Sequence, residues 1–211
     1  GLLFTFYFSL LTSPAAQHAA HAIPVVPQAL LERAVPLRTG IGRAHDEVST
    51  KSSDAQAFYD QGLAYLHSFV WIEAARSFHQ ALRSDPGLAL AHVGLSYAYI
   101  EVNKPTEARQ AIESAFALST TVDKRGLPPR SAAHDRHHIE ARALQMAAED
   151  APRDAAKLAA YRKALDAAIA AFPDDVELIL KRGTAESPDP ADRGQGSVMA
   201  SIPYFERALK V

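Results

Sequence analysis

The sequence predicts an all-α chain built from helix hairpins stacked in series. Three observations lead there. Ala, the residue with the highest helix propensity, occurs 41 times among the 211 residues. Residues 55–88 repeat in residues 89–122 at an offset of 34. Beyond the repeats, apolar side chains recur at helical spacing through most of the chain.

Composition excludes several classes. Lys and Arg number 22 against 24 Asp and Glu, a net charge of −2. That balance lacks the basic excess of a nucleic-acid binder or of a polybasic membrane patch. The chain has no Cys, which removes disulfides, thiolate metal sites and Cys nucleophiles.

Residues 1–22 read as a truncated secretory signal peptide. Leu2 to Leu11 is nearly all apolar but about half the length that spans a bilayer. Small residues follow, and Ala20-His21-Ala22 fits a cleavage site. The other reading of this run is a buried helix. Export to the periplasm or the exterior is therefore expected, with no membrane insertion after cleavage. Residues 23–53 read as irregular. Pro24, Pro27 and Pro36 break helices there, Gln28 to Ala34 allows one or two turns, and Gly40-Ile41-Gly42 is a turn. The polar stretch Ser49 to Asp54 supplies an N-cap for the helix that follows.

The 34-residue offset places Tyr65 on Tyr99, Ala74 on Ala108 and Ala81 on Ala115. Phe78 falls on Ile112, and Ala57, Ala64 and Glu73 fall on identical residues. Gly62 and Tyr65 stand three apart, Ala74, Phe78 and Ala81 follow, and Pro86 closes the unit. Small residues at Gly62 and Ala74 let two helices approach closely, and Tyr65 and Phe78 fill the space between hairpins. This pattern resembles the tetratricopeptide repeat. The resemblance covers residues 55–119 and implies a right-handed superhelix of antiparallel hairpins. Departures are Gln61 in place of the motif's Leu, and Ser96 and Thr120 in place of its Gly and Pro. A helical bundle with accidental periodicity is the plainer alternative.

The remainder continues more loosely, so the repeat domain is taken as residues 55–211 with three to four hairpins. Leu127-Pro128-Pro129 is a break, after which Ser131 can cap a helix reaching Glu149. Leu158, Tyr161, Leu165, Ala168 and Phe172 form a helical stripe stopped by Pro173. Asp174 can cap the next helix, with Glu177 completing a capping box. A loop spans Ser187 to Gly196, and Ile202, Phe205, Ala208 and Leu209 belong to a last helix. No closing cap follows, so a longer natural protein is expected. Val48-Ser49-Thr50, Ala55 to Leu63, and Ser77 to Ala81 are similar to a group of exported bacterial tetratricopeptide proteins, a resemblance that carries no catalytic residue.

By the tetratricopeptide resemblance, Tyr59, Leu63 and Leu66 face a concave groove from the first unit, and Val93, Tyr97 and Ile100 from the second. An apolar, aromatic groove suits a protein or peptide partner with hydrophobic anchors. The other reading is that later hairpins cover these side chains. The chain is thus expected to act as a binding scaffold without catalysis of its own, and no cofactor is expected. It contains no Gly-x-Ser-x-Gly elbow, no phosphate-binding loop and no His-Glu-x-x-His run. Two other classes stay open: a helical part of a longer enzyme, and an exported metal-binding protein. His134 and His138, four apart on one helical face, are the metal candidates, and they need further ligands to close a site. His45, His67, His79 and His92 could supply them only if the fold brought them near. Trp71, the only tryptophan, reads as core packing between the first two helices.

Overall fold

The structure is a computed structural model that describes residues 25–120, 133–186 and 198–211. The expected signal peptide over 1–22, break at Pro128, cap at Ser131 and loop from Ser187 to Gly196 lie outside the described residues. Among the described residues the chain is all-helical, with no strand. The helices are α1 Gln28–Leu31, α2 Ser53–His67, α3 Trp71–Ser84, α4 Ala89–Glu101, α5 Pro105–Thr120, α6 Ala133–Glu149, α7 Ala155–Ala171, α8 Val176–Thr184 and α9 Val198–Ala208. None is long and apolar enough to cross a membrane.

The most extensive packing joins α2 to α3, α4 to α5, α3 to α4, α6 to α7 and α8 to α9. Short turns between α2 and α3 and between α4 and α5 make these pairs neighbours in space. The two turns repeat one geometry. Phe69 and Asn103, 34 apart, both take a left-handed backbone, with φ of 60° and 59°. Val70 N–H donates to Tyr65 O at 2.9 Å, and Lys104 N–H to Tyr99 O at 2.8 Å. The period in the sequence is therefore also a period in the backbone.

Phe78 explains the small residues. It is fully buried, and its ring lies against the bare backbones of Gly62 and Gly94. A Cβ on Gly62 would stand 2.5 Å from that ring, and one on Gly94 closer still. Gly183 and Phe205 make the same kind of contact between α8 and α9. The main core runs from Leu31 and Val48 through α2–α5 to Ile139 and Met146. A second cluster holds Ala141, Tyr161, Leu165, Leu178 and Ile179.

Residues 32–52 form a strap without regular secondary structure, fastened by polar side chains of α2 and α3. Gln61, which stands where the repeat motif has Leu, accepts from Arg38 N–H at 2.7 Å. Its amide donates to Pro36 O and to Ser77 Oγ. Gln56 donates to Asp46 O at 2.9 Å and accepts from Val48 N–H at 3.1 Å. Thr50 donates to Asp85 at the end of α3. Within the strap, Gly40 and Gly42 both take positive φ, as a turn requires.

Helix termini agree with the sequence in kind and differ in detail. Ser52 caps α2 by accepting from Ala55 N–H, and Asp154 caps α7 by accepting from Ala156 N–H. Asp175, not Asp174, caps α8: its Oδ1 accepts from Leu178 N–H at 2.9 Å. Glu177 makes no capping box, because its carboxylate turns to His67 and Lys181.

Replacing Gly62 or Gly94 by Ala drives a methyl group into the Phe78 ring. Each variant should lose about 1–3 kcal/mol of stability in chemical denaturation. Adding Phe78→Leu should return part of that loss, since the smaller side chain makes room.

Candidate metal centre

Asp46 lies in the strap, held there by Gln56, which donates to Asp46 O and accepts from Val48 N–H. His134 and His138 sit one turn apart on α6, with ring centroids 4.6 Å apart. Asp175 lies at the N-terminus of α8, brought there by the packing of α6 on α7 and of α7 on α8. The four side chains converge so that one ligand atom from each lies within 4.8 Å of every other.

The geometry is specific. Both imidazoles turn Nε2 toward the carboxylates. His134 Nε2 is 2.8 Å from Asp175 Oδ2 and 3.2 Å from Asp46 Oδ1. His138 Nε2 is 2.7 Å from Asp175 Oδ2 and 4.0 Å from Asp46 Oδ2. The outer atoms are held as well. Asp175 Oδ1 is occupied by the α8 cap, and Tyr59 OH donates to Asp46 Oδ2 at 3.4 Å. Phe172 packs edge-on to His134 at 5.2 Å. Asp46, His138 and Asp175 have side chains less than 10% exposed, and His134 is 17% exposed.

Burying two carboxylates together is costly unless positive charge joins them. In the protein without an ion, imidazole protons fill that role. Burial opposes charge on His134, but the nearby carboxylates of Asp135, Asp175 and Asp46 outweigh it and raise its pKa to about 11. Burial likewise opposes charge on Asp175, and the bonds from His134 and His138 overcome it and hold the carboxyl well below the usual range. A divalent cation could take the protons' place. Two imidazole nitrogens and two carboxylate oxygens match the ligand types of zinc and of the harder first-row ions. Ligand atoms sit about 2.0–2.2 Å from zinc, so Asp175 would draw back slightly from its present hydrogen-bond distances.

An open, polar cavity of about 720 Å³ adjoins the cluster. Asp46, Glu47, Asp135, Asp174, Asp175 and Glu177 line it with His45 and His134, and among the described residues no Lys or Arg does. Such a wall favours cations over anions.

Among the described residues, His45, His67, His79 and His92 do not join the site. His45 pairs with Asp60, His67 with Glu177, and His79 with Tyr99 OH. His92 is lowered to about 4 by burial and by His79. The sequence reading found His134 and His138 and missed Asp46 and Asp175. Asp46 lies in irregular chain, and Asp175 has a capping role that accounts for it locally.

The six groove positions are also partly brought together. Tyr59, Leu63, Leu66, Val93 and Tyr97 line one cavity of about 370 Å³. Tyr59, Leu63 and Val93 are buried, while Leu66, Tyr97 and Ile100 are half-buried. Ile100 packs against the main core and is absent from the cavity lining. Leu180 and Lys181 of α8 and Phe205 of α9 form its other wall. Trp71 also borders it and stacks edge-on with the exposed Phe69 at 5.4 Å. Arg142 lies 3.9 Å over the Tyr97 ring and donates to Ser96 Oγ and O.

No protein-family model, curated protein or solved structure matches this chain.

The raised pKa of His134 has a consequence for stability without metal. The stabilisation it contributes is full below its ordinary value of 6.5 and is lost as pH rises toward about 11. Thermal melts of chelator-treated protein should show a loss above pH 6.5 that is weakened in His134→Gln.

Proposed function

We propose that this protein binds one divalent metal ion through Asp46, His134, His138 and Asp175. The observation that carries the reading is the convergence of these four side chains, from the strap, α6 and α8, within 4.8 Å. Local sequence does not force that meeting, since Asp46 and Asp175 are far from α6 along the chain. The donor set favours zinc, iron(II), manganese, cobalt or nickel over soft copper(I). The role assigned is binding, with no chemical step. The scaffold is inferred to be a tetratricopeptide-type stack of hairpins. The 34-residue repeat, its repeated turns and the packing of α2 on α4 and α4 on α6 support that inference. The apolar run and cleavage pattern of residues 1–22 support export to the periplasm or the exterior.

Purified protein loaded with zinc, cobalt or manganese and then desalted should retain one ion per chain by elemental analysis. His134→Ala with His138→Ala should abolish retention while helical content by circular dichroism stays unchanged. Substoichiometric retention of every ion by the parent would refute the reading.

A second reading, a protein or peptide partner gripped by apolar anchors, is favoured by the cavity that five of the six groove residues line. At about 370 Å³ it holds one or two anchor side chains and not a whole helix. Trp71, the only tryptophan, borders it, so occupancy is readable. An apolar dye such as anilinonaphthalene sulfonate should quench Trp71 saturably, and Leu66→Glu should weaken that quenching. Unsaturable quenching would argue against the cavity as a binding site.

A further inference from the structure

We propose that Asp135 is a positioning residue for the ion: it accepts a hydrogen bond from Nδ1–H of His134 and so fixes Nε2 as the metal-facing atom. This rests on the metal-binding reading above.

Asp135 is the most sheltered acid around the cluster, with 1% of its side chain exposed. Neither of its carboxylate oxygens has a hydrogen-bond partner among the described residues. A buried carboxylate in that condition carries a large desolvation cost. The N-terminal turn of α6 offers it a favourable helix dipole, yet no backbone N–H bonds to it. One other buried atom nearby is equally unpaired: Nδ1 of His134. The two face each other, with Asp135 Oδ1 3.5 Å from that nitrogen. A donor and an acceptor are thus both unpartnered, both buried and adjacent.

The other nitrogen of the same ring explains why they stand so. Nε2 of His134 faces Asp46 and Asp175, where the ion would sit. A ring that gives the Nε2 lone pair to a cation must carry its proton on Nδ1. That proton needs an acceptor, and Asp135 supplies it after closing by a few tenths of an ångström to a normal hydrogen bond. A carboxylate behind a ligating histidine orients the ring and raises its basicity. The remaining carboxylate ligands are held in the same way, Asp46 by Tyr59 and Asp175 by the cap of α8.

The test uses the full chain and Co²⁺ as probe. Asp135→Asn keeps the shape and removes the charge. It should weaken Co²⁺ binding by about 10–100-fold, keep one ion per chain and alter the visible Co²⁺ spectrum. Its metal-free melting temperature should not fall below the parent's, whereas a merely structural role would lower it and leave the spectrum unmoved. A second measurement needs no variant: in ¹⁵N NMR of the zinc-loaded parent, His134 should be protonated on Nδ1 and zinc-bound through Nε2. Parent-like Co²⁺ affinity in Asp135→Asn, or zinc bound through Nδ1, would overturn the proposal and leave the metal site standing. Failure of the parent to bind either ion would remove the metal reading and this inference together.

Discussion

Two carboxylates held out of water, Asp46 and Asp175, are the constraint on which this arrangement depends. Alone they would repel, and each would keep a desolvation cost of several kcal/mol. Positive charge between them turns that repulsion into a fastening. It joins three parts of the chain that lie far apart in sequence: the strap, the start of α6 and the start of α8. Charge on His134 can do this, and a divalent ion can do it with one centre. The ion's advantage is geometric. Protons satisfy one oxygen at a time, whereas an ion draws all four ligand atoms toward one point.

The strap must already be in place for Asp46 to serve. Gln61 and Gln56 put it there, through bonds to Arg38, Pro36, Val48 and Asp46. Gln61 occupies a position that the repeat motif reserves for an apolar residue. Its polarity is a local loss for packing and a gain for the strap, whose backbone groups would otherwise lack partners. Ser96 shows the same logic in the second unit. It stands in place of the motif's Gly and anchors the buried Arg142, which reaches across from α6 to cover Tyr97. Two of the departures from the repeat, Gln61 and Ser96, are where the hairpins are cross-linked to something outside it.

Much of the helical framework was legible because it depends on short-range rules. Ala74, Ala108, Gly62 and Phe78 declare a close helix pair by their spacing, and the structure packs Phe78 on Gly62. The second glycine under that ring, Gly94, belongs to the next hairpin and has no local signature. The site was half legible for a related reason. His134 and His138 share a helix face by spacing alone. Asp46 and Asp175 reach them only through the packing of the strap and of α7 and α8. Asp175 was further hidden by its neighbour, since either Asp174 or Asp175 can cap a helix and only the backbone decides. Tyr59, Leu63 and Tyr97 line one cavity, and α8 and α9 supply its other wall; cover by later hairpins is one of the two readings the pattern leaves open, and α2 and α4 alone do not say which helices provide it.

The two sites share a wall, so they are physically coupled. His138 turns Nε2 to the metal cluster and also borders the apolar cavity. Tyr59 gives its hydroxyl to Asp46 and its ring to the cavity and to Phe78, 5.6 Å away. Along α8, Asp175 belongs to the cluster, while Glu177 borders both cavities and Leu180 and Lys181 close the apolar one. Glu177 also spans back to α2: burial opposes its charge, but Lys181 and then His67 hold its pKa near 2. One wall of the apolar cavity, with Leu180 and Lys181, is thus carried by α8, which the cluster joins to the strap and α6. An ion that drew α8 toward the strap would move that wall. By linkage, a molecule that fills the cavity must change ion affinity by the same free energy with which the ion changes its own. The metal-binding and apolar-anchor readings are for that reason not independent alternatives, because the residues that would serve one are packed against the residues that would serve the other.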